Sequence, residues 1–483
     1  MKKVGIDAVQ VALPRLVLPM GELAALRGID ADKLTLGLGL EAMAVCDADE
    51  DTATLAAEAA WRLFQDQNLD PATVGRLYLG TESAVDAAKP TASYVLGVLE
   101  ARLEPQYGPR SLRRCDVVDL TFACIGGVDA LQNSLDWVAQ GTGRRAVVLA
   151  ADVAKYDANS PGEYTQGAAA VAMSICENPR ILALEPHWGV SVDSVGDFFK
   201  PRRTYAKTTL LQEAARLLGQ EINPADAQAL LDSQNPGTSF WDAPEAEVEH
   251  YREAPIFDGP FSNSCYVARV REAVQHVTEQ SGHAPLNDWN HLVFHLPYAF
   301  QGRRMWPEIA LELYTAAGRQ SELEAAVGTP LAETTPEAFA KSWSKTPHYK
   351  ALVAAKIAPA ERASQRVGNG YTASIFLALV SLLEDARANA RALDGQRVAL
   401  LAYGSGSKSK VATGTVQPEW LEGLRGVALW DRMDRRVRID AAQYEALHSK
   451  RQHTPVAPPA DNDGVRWLGN RTEPLLAGYR RYV

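Results

Sequence analysis

The chain has 483 residues, 46% of them hydrophobic, and a formal net charge of −10. That length and apolar content fill a large core in one big domain or two fused halves, and the acidic balance argues against a general binder of nucleic acid or anionic membrane, since both present negative charge. The five cysteines, Cys46, Cys115, Cys124, Cys176 and Cys265, are scattered, odd in number and never spaced as a metal knuckle, so a reducing compartment and no bound metal are expected.

In chain order, the start "MKKVGIDAVQVALP" does not read as a signal peptide, because Asp7 and Pro14 interrupt it before a long apolar run develops. No run of about 18 apolar residues occurs, so no membrane span is expected, and a soluble cytoplasmic α/β protein is the expectation. Segment 52–67 carries Leu55, Ala56, Ala59, Ala60 and Leu63 on one face and predicts an amphipathic helix. Short apolar runs at 76–80, 116–123, 144–152 and 168–175 predict strands, and 92–104 predicts a second helix. Residues 203–257 break this alternation: 208–220 and 223–234 are helix-like, and 235–255 is polar and proline-bearing. Strand signal returns at 291–298, followed by a helix over 371–386 and a strand over 396–407. Segment 291–407 therefore echoes the first half, though not by visible sequence identity. A basic helical stretch over 434–452 precedes a Pro/Asn/Gly-rich loop, and no clean linker separates the halves.

The stretch "RRCDVVDLTFACIGGVDALQNSLDWVAQ" (113–140) puts Cys124 where a strand gives way to a helix. Free backbone N–H groups there favour a thiolate and offer donors to a developing oxyanion. Gly126 and Gly127 read as keeping the turn open for an incoming thioester. Most cytosolic cysteines are small core hydrophobes, so other residues must decide. His295, in "LVFHLPYAF", sits at a strand end, where it faces a cavity or serves the core. Glu82, in "YLGTESAVDAAKP", follows another strand end; it either caps and is solvated or, near apolar walls, exchanges protons near neutral pH. The loops "RVGNGYTAS" (366–374) and "AYGSGSKSK" (402–410) have neither dinucleotide nor phosphate-loop spacing. Asn369 is a turn residue or an amide donor to a carbonyl.

As a set, these pieces resemble the 3-hydroxy-3-methylglutaryl-CoA synthase family of the thiolase-like superfamily, over residues 5–202 and 255–450. The motifs are "GLGLEAMAVCDADEDTATLAAEAA", "LGTESAVDAAKP", "TFACIGGVDALQNSLDW", "SPGEYTQGAAAVAM", "GDFFKPR", "FDGPFSNSCY", "FHLPY", "GNGYTAS" and "YGSGS". The resemblance implies a five-layer αβαβα fold with two similar halves and a helical insertion. Its parts would be 1–176 with the glutamate and cysteine, a connecting region 177–284 holding the insertion 203–254, 285–415 with the histidine and asparagine, and an extension 416–483.

It also implies Cys124, Glu82 and His295 as catalytic residues, and Asn369, Ser405, Tyr156, Thr165, Phe199, Tyr371 and Gly404 as substrate contacts. The implied reaction joins acetyl-CoA to acetoacetyl-CoA through an acetyl-cysteine, with no permanent cofactor, in a cytoplasmic homodimer of the mevalonate route to isoprenoids. Three departures stand out. Phe300 occupies a position where relatives place a lysine associated with CoA, which leaves Arg303 and Arg304 to supply charge for a CoA or carrier-arm phosphate. Pro260 stands where a histidine is usual, and 203–254 lacks a counterpart in compact bacterial relatives. Loss of a CoA contact fits relatives of polyketide β-branching, whose acceptor rides on an acyl carrier protein. A ketoacyl-synthase-like condensation is a further alternative, against which Glu82 argues, because decarboxylation of a malonyl partner needs no carboxylate base. A non-catalytic partner in a thiolase-like complex would require Cys124 to be buried and unreactive.

Overall fold

The computed structural model describes residues 2–233, 241, 245–459 and 464–483. Nine strands form one sheet: β1 (Val4–Ala12), β2 (Val74–Gly80), β3 (Asp116–Leu120), β4 (Arg145–Val153), β5 (Ala168–Glu177), β6 (Leu182–Val192), β7 (His291–Phe294), β8 (Arg397–Gly404) and β9 (Lys408–Val416). Their order is β7-β8-β9-β6-β1-β5-β4-β2-β3. The antiparallel β6–β1 pair is the centre of an internal two-fold pattern. Outward from β1, the chain pairs antiparallel with β5, antiparallel with β4 and parallel with β2. Outward from β6 it pairs antiparallel with β9, antiparallel with β8 and parallel with β7. Only β3, at one edge, lacks a counterpart.

The helices that matter for the site are α1 (Thr52–Gln67), α2 (Thr91–Tyr107), α3 (Gly126–Ala139), α4 (Gly259–Ser281), α5 (Gln301–Ala316), α6 (Ala358–Val367) and α7 (Ser374–Ala388). α1 starts at a capping box, Asp51 with Thr54, and stops at Asn68, whose φ is 49°. Its predicted apolar face is buried. α1 packs on β1, β5 and β4, and α4 packs on the equivalent strands β6, β9 and β8. α3 and α7 lie on the inner faces, α3 against β4 and β2 and α7 against β7 and β8. The alternation along β4 shows why: Val147, Leu149 and Ala151 join the core under α1, and Ala146, Val148 and Ala150 join the core shared by α3 and α7. The result is helix, sheet half, paired helices, sheet half, helix, the thiolase-like arrangement.

Several expectations needed correction. The strand expected over 116–123 stops at Leu120. The helix expected over 434–452 is split into Leu429–Asp434, a two-residue strand Val437–Arg438 and Ala441–His448. The stretch expected to connect the halves supplies β6 and α4, the central pair's second strand and an outer helix. Phe198–Asp258 form a second compact unit, with Arg202–Ala206 paired to Glu247–Tyr251, Phe198–Phe199 paired to Ile256–Phe257, and two helices, Lys207–Leu217 and Pro224–Asp232. In it, Leu217 and Leu218 are exposed. The polar stretch expected at 235–255 lies partly outside the described residues. No helix among the described residues is long and apolar enough to cross a membrane.

Candidate active site

Two strand ends meet to make the centre of the site. A Cβ on Gly80, the last residue of β2, would sit 2.1 Å from the backbone nitrogen of Gly127 in α3. Only glycine permits so close a backbone approach. It holds the residues just beyond β2 beside those just before α3. Glu82 and Cys124 are those residues, and Cys124 Sγ–H donates to Glu82 Oε1 at 3.1 Å. Cys124 is 7% exposed and Glu82 9%. The two glycines after Cys124 thus serve helix–strand packing; Gly127 has Ala150, Phe376 and Thr372 against it, rather than space for a thioester. Ala123 takes φ 43°, a bend that turns the next side chain out of the strand direction. The N–H groups of Ile125 and Gly126 are spent on Phe122 and Ala123 within that turn, so they are not the free donors expected at the helix start.

Glu82 is fixed from behind by Asp152, at the end of β4 and fully buried. One oxygen of Asp152 accepts from the Thr81 hydroxyl (2.8 Å) and the Glu82 N–H (2.9 Å). The other accepts from the Thr372 N–H (3.0 Å) and hydroxyl (2.6 Å). A single carboxylate thereby joins the two halves directly behind the Cys124–Glu82 pair. Sequence reasoning passed over Asp152, although it ends a predicted strand.

Around this pair stand two tyrosines. Burial raises the phenol pKa of Tyr156, and the neighbouring negative charges of Cys124 and Glu82 push it further. Burial does the same for Tyr371, with Tyr156, Glu82 and Cys124 adding to it. The Tyr156 and Tyr371 rings lie edge to face, 6.3 Å apart. Asn369 adjoins them: its Oδ1 accepts from the Tyr371 N–H (2.8 Å) and the Ser374 hydroxyl (2.9 Å). That fixes the amide's orientation and turns its NH2 away from those two donors. Its backbone N–H bonds to Thr165 O at 2.9 Å, which ties the 163–166 turn to the 369–371 turn. Gly404 passes close over the cysteine turn, since a Cβ there would lie 2.6 Å from Phe122 O, and half-buried Ser405 follows it.

His295 enters from the second half, one residue beyond β7, and is 1% exposed. Burial drives its pKa down to about 3, so the ring is neutral at ordinary pH. Its Nδ1 has no hydrogen-bond partner among the described residues. Tyr266 connects it to the cysteine: the Tyr266 hydroxyl donates to His295 O at 2.6 Å, the two rings are 6.1 Å apart, and burial and then the Cys124 charge raise the Tyr266 pKa. Tyr266 stacks on Tyr403 at 4.4 Å, and Tyr403 donates to the buried carboxylate of Asp197 at 2.8 Å. Asp197 also accepts from the Gly406 N–H and the Ser262 hydroxyl. The motifs "GDFFKPR" and "FDGPFSNSCY" act here through Asp197, Ser262 and Tyr266, none of which was singled out from the sequence.

The remaining expected contacts are Phe199, Arg303 and Arg304. Phe199 belongs to the second compact unit and is 44% exposed. Arg303, at the start of α5, is paired with the buried carboxylate of Glu361 in α6 and stacks on the Phe300 ring, 3.8 Å from its centroid. Its charge is thereby largely neutralised. Arg304 is exposed, 5.8 Å over Tyr298. No group of His, Cys, Asp and Glu among the described residues is arranged to hold a metal ion.

Comparison with known proteins places the whole chain in one family. Residues 1–179 match the family model described as hydroxymethylglutaryl-coenzyme A synthase N terminal, and 246–457 match the one described as its C terminal. A hydroxymethylglutaryl-CoA synthase of Haloferax volcanii is 29% identical over 466 residues, covering 94% of this chain and 93% of its own. One from Enterococcus faecalis is 27% identical over 453 residues, with the same coverage. The solved structure of MvaS in complex with 3-hydroxy-3-methylglutaryl coenzyme A is 30% identical, covers 100% of this chain and 99% of its own, and superposes with a TM-score of 0.77. The HMG synthase of the curacin biosynthetic pathway, at 19% identity and a TM-score of 0.72, shares the fold. The chain belongs to the hydroxymethylglutaryl-CoA synthase family, acyltransferases that form a carbon–carbon bond.

Proposed function

We propose that this chain condenses acetyl-CoA with acetoacetyl-CoA in two half-reactions centred on Cys124 and Glu82. The observation that carries the reading is their 3.1 Å contact at two buried strand ends. Cys124 attacks the acetyl carbonyl, the proton it gives up ends on the departing CoA sulfur, and an acetyl thioester remains on the enzyme. The acetyl methyl is then two bonds from Sγ, within reach of a carboxylate that already touches that sulfur. Glu82 takes a methyl proton, and the carbanion adds to the ketone of the acceptor. His295 donates a hydrogen bond to the ketone oxygen from a neutral ring, consistent with its depressed pKa, and the Asn369 NH2 serves the same carbonyl neighbourhood. The alkoxide recovers the proton held by Glu82. Water finally hydrolyses the enzyme thioester, which frees Cys124 and the product carboxylate.

A second reading has the acceptor on a carrier protein. It is favoured by Phe300 at the position of a CoA-associated lysine and by the commitment of Arg303 to Glu361. Arg304 is then the residue left for a phosphate. The two readings separate in one assay: steady-state rates with acetoacetyl-CoA and with an acetoacetyl carrier protein. The first reading expects efficient turnover of the CoA ester; a strong preference for the carrier overturns it. The open edge of β3, half-buried along Val117–Leu120, supports a homodimer, because unpaired edges are usually covered. Sedimentation at twice the monomer mass is the expected result. A cytoplasmic location in a mevalonate route goes with the CoA reading.

A further inference from the structure

We propose that the tail formed by residues 464–483 is a positioning strap for the loop that carries Glu82, acting through Tyr94; the proposal rests on the reading of Glu82 as the base. Trp467–Asn470 and Arg480–Tyr482 form a small antiparallel hairpin. The tail is anchored on the start of α1. The Trp467 N–H donates to Asp49 O (2.9 Å), the Val465 N–H to the Glu58 carboxylate (3.1 Å), and both Arg480 (2.6 Å) and the Tyr482 hydroxyl (2.9 Å) bond to Asp51 Oδ2. Asp51 is the residue that caps α1.

From that anchorage, Tyr479 and Tyr482 reach Tyr94 on α2, with ring centroids 5.4 and 5.7 Å away. Tyr94 is 5% exposed, and its hydroxyl donates to Asp86 at 3.2 Å. The other oxygen of Asp86 gathers the N–H groups of Ala88 and Lys89, at 2.9 and 2.8 Å. Asp86 is on the same loop as Glu82, which Asp152 fixes at its other end. One end of the loop is thus held by the core and the other by a tyrosine whose setting depends on the tail. Residues beyond 457 lie outside the segments matched by the family models, and the condensation chemistry calls on none of them. A strap that sets the carboxylate's aim affects the step that uses the carboxylate on carbon. A misplacement of that kind costs rate without weakening binding.

The test uses full-length variants and measures two quantities, acetylation of Cys124 by labelled acetyl-CoA and kcat for condensation, alongside thermal midpoints. Tyr94→Phe keeps the ring and loses the bond to Asp86, and Tyr479→Ala loosens the stack. Both are expected to acetylate at the normal rate, to keep KM for the acceptor and to lose about tenfold in kcat. Tyr479→Phe is expected to restore it. Normal kcat in both Tyr94→Phe and Tyr479→Ala overturns the strap. So does an equal loss in both half-reactions with a lowered thermal midpoint, which marks mere fold support. Glu82→Ala is the separate control: if it still condenses, the reading of Glu82 fails whatever the tail variants do.

Discussion

His295 shows what burial does to a residue's chemistry. Its folded pKa of about 3 lies below the ordinary 6.5. Above 6.5 the ring is neutral in both the folded and unfolded chain, and its stabilising contribution is fully present. Between 6.5 and 3 the unfolded chain holds the extra proton, so stability falls as pH falls, by at most about 1.4 kcal/mol per pH unit. His295→Gln has no such proton to lose. We expect the wild type to lose about 1.6 kcal/mol more than the variant between pH 6.5 and 5, read by denaturant unfolding at each pH. Parallel profiles would mean that the ring is accessible to protons in the folded state.

At the scale of elements, the site depends on how strand ends are tied together. Asp152 accepts four hydrogen bonds from Thr81, Glu82 and Thr372 without exposure to water. Asp152→Asn turns an NH2 toward one pair of those donors and leaves a buried N–H unpaired, at a cost of roughly 2–3 kcal/mol. Condensation should fall with it, because the Glu82 N–H loses its anchor. A variant with wild-type thermal midpoint and rate would contradict this account of the junction.

Such ties explain what the sequence revealed and what it hid. α1 was predicted over the residues it occupies because its apolar period and its cap are local. β6 was missed because Pro186 interrupts its run, and β9 because its lysines, serine and glycine read as loop. Motif spacing pointed to the loops of Glu82 and Cys124. It could not single out Asp152 or Asp197, whose partners lie 220 and 206 residues away. Nor could it foresee that Glu361 engages Arg303, or that Gly126 and Gly127 answer to packing.

For the whole molecule, the internal two-fold pattern gives the two halves equivalent strand ends and lets each contribute different chemistry. In the proposed reaction the first half supplies Glu82 and Cys124, and the second supplies Asn369 and His295. Asp152 and the Tyr266–Tyr403–Asp197 series keep the two sets in register. The account stands on covalent capture at one sulfur. Its most direct test is the intact mass and peptide map of the protein after brief exposure to acetyl-CoA alone. One acetyl group per chain on the peptide containing Cys124, absent from Cys124→Ala, is the predicted result; acetylation elsewhere, or in the variant as well, would contradict it.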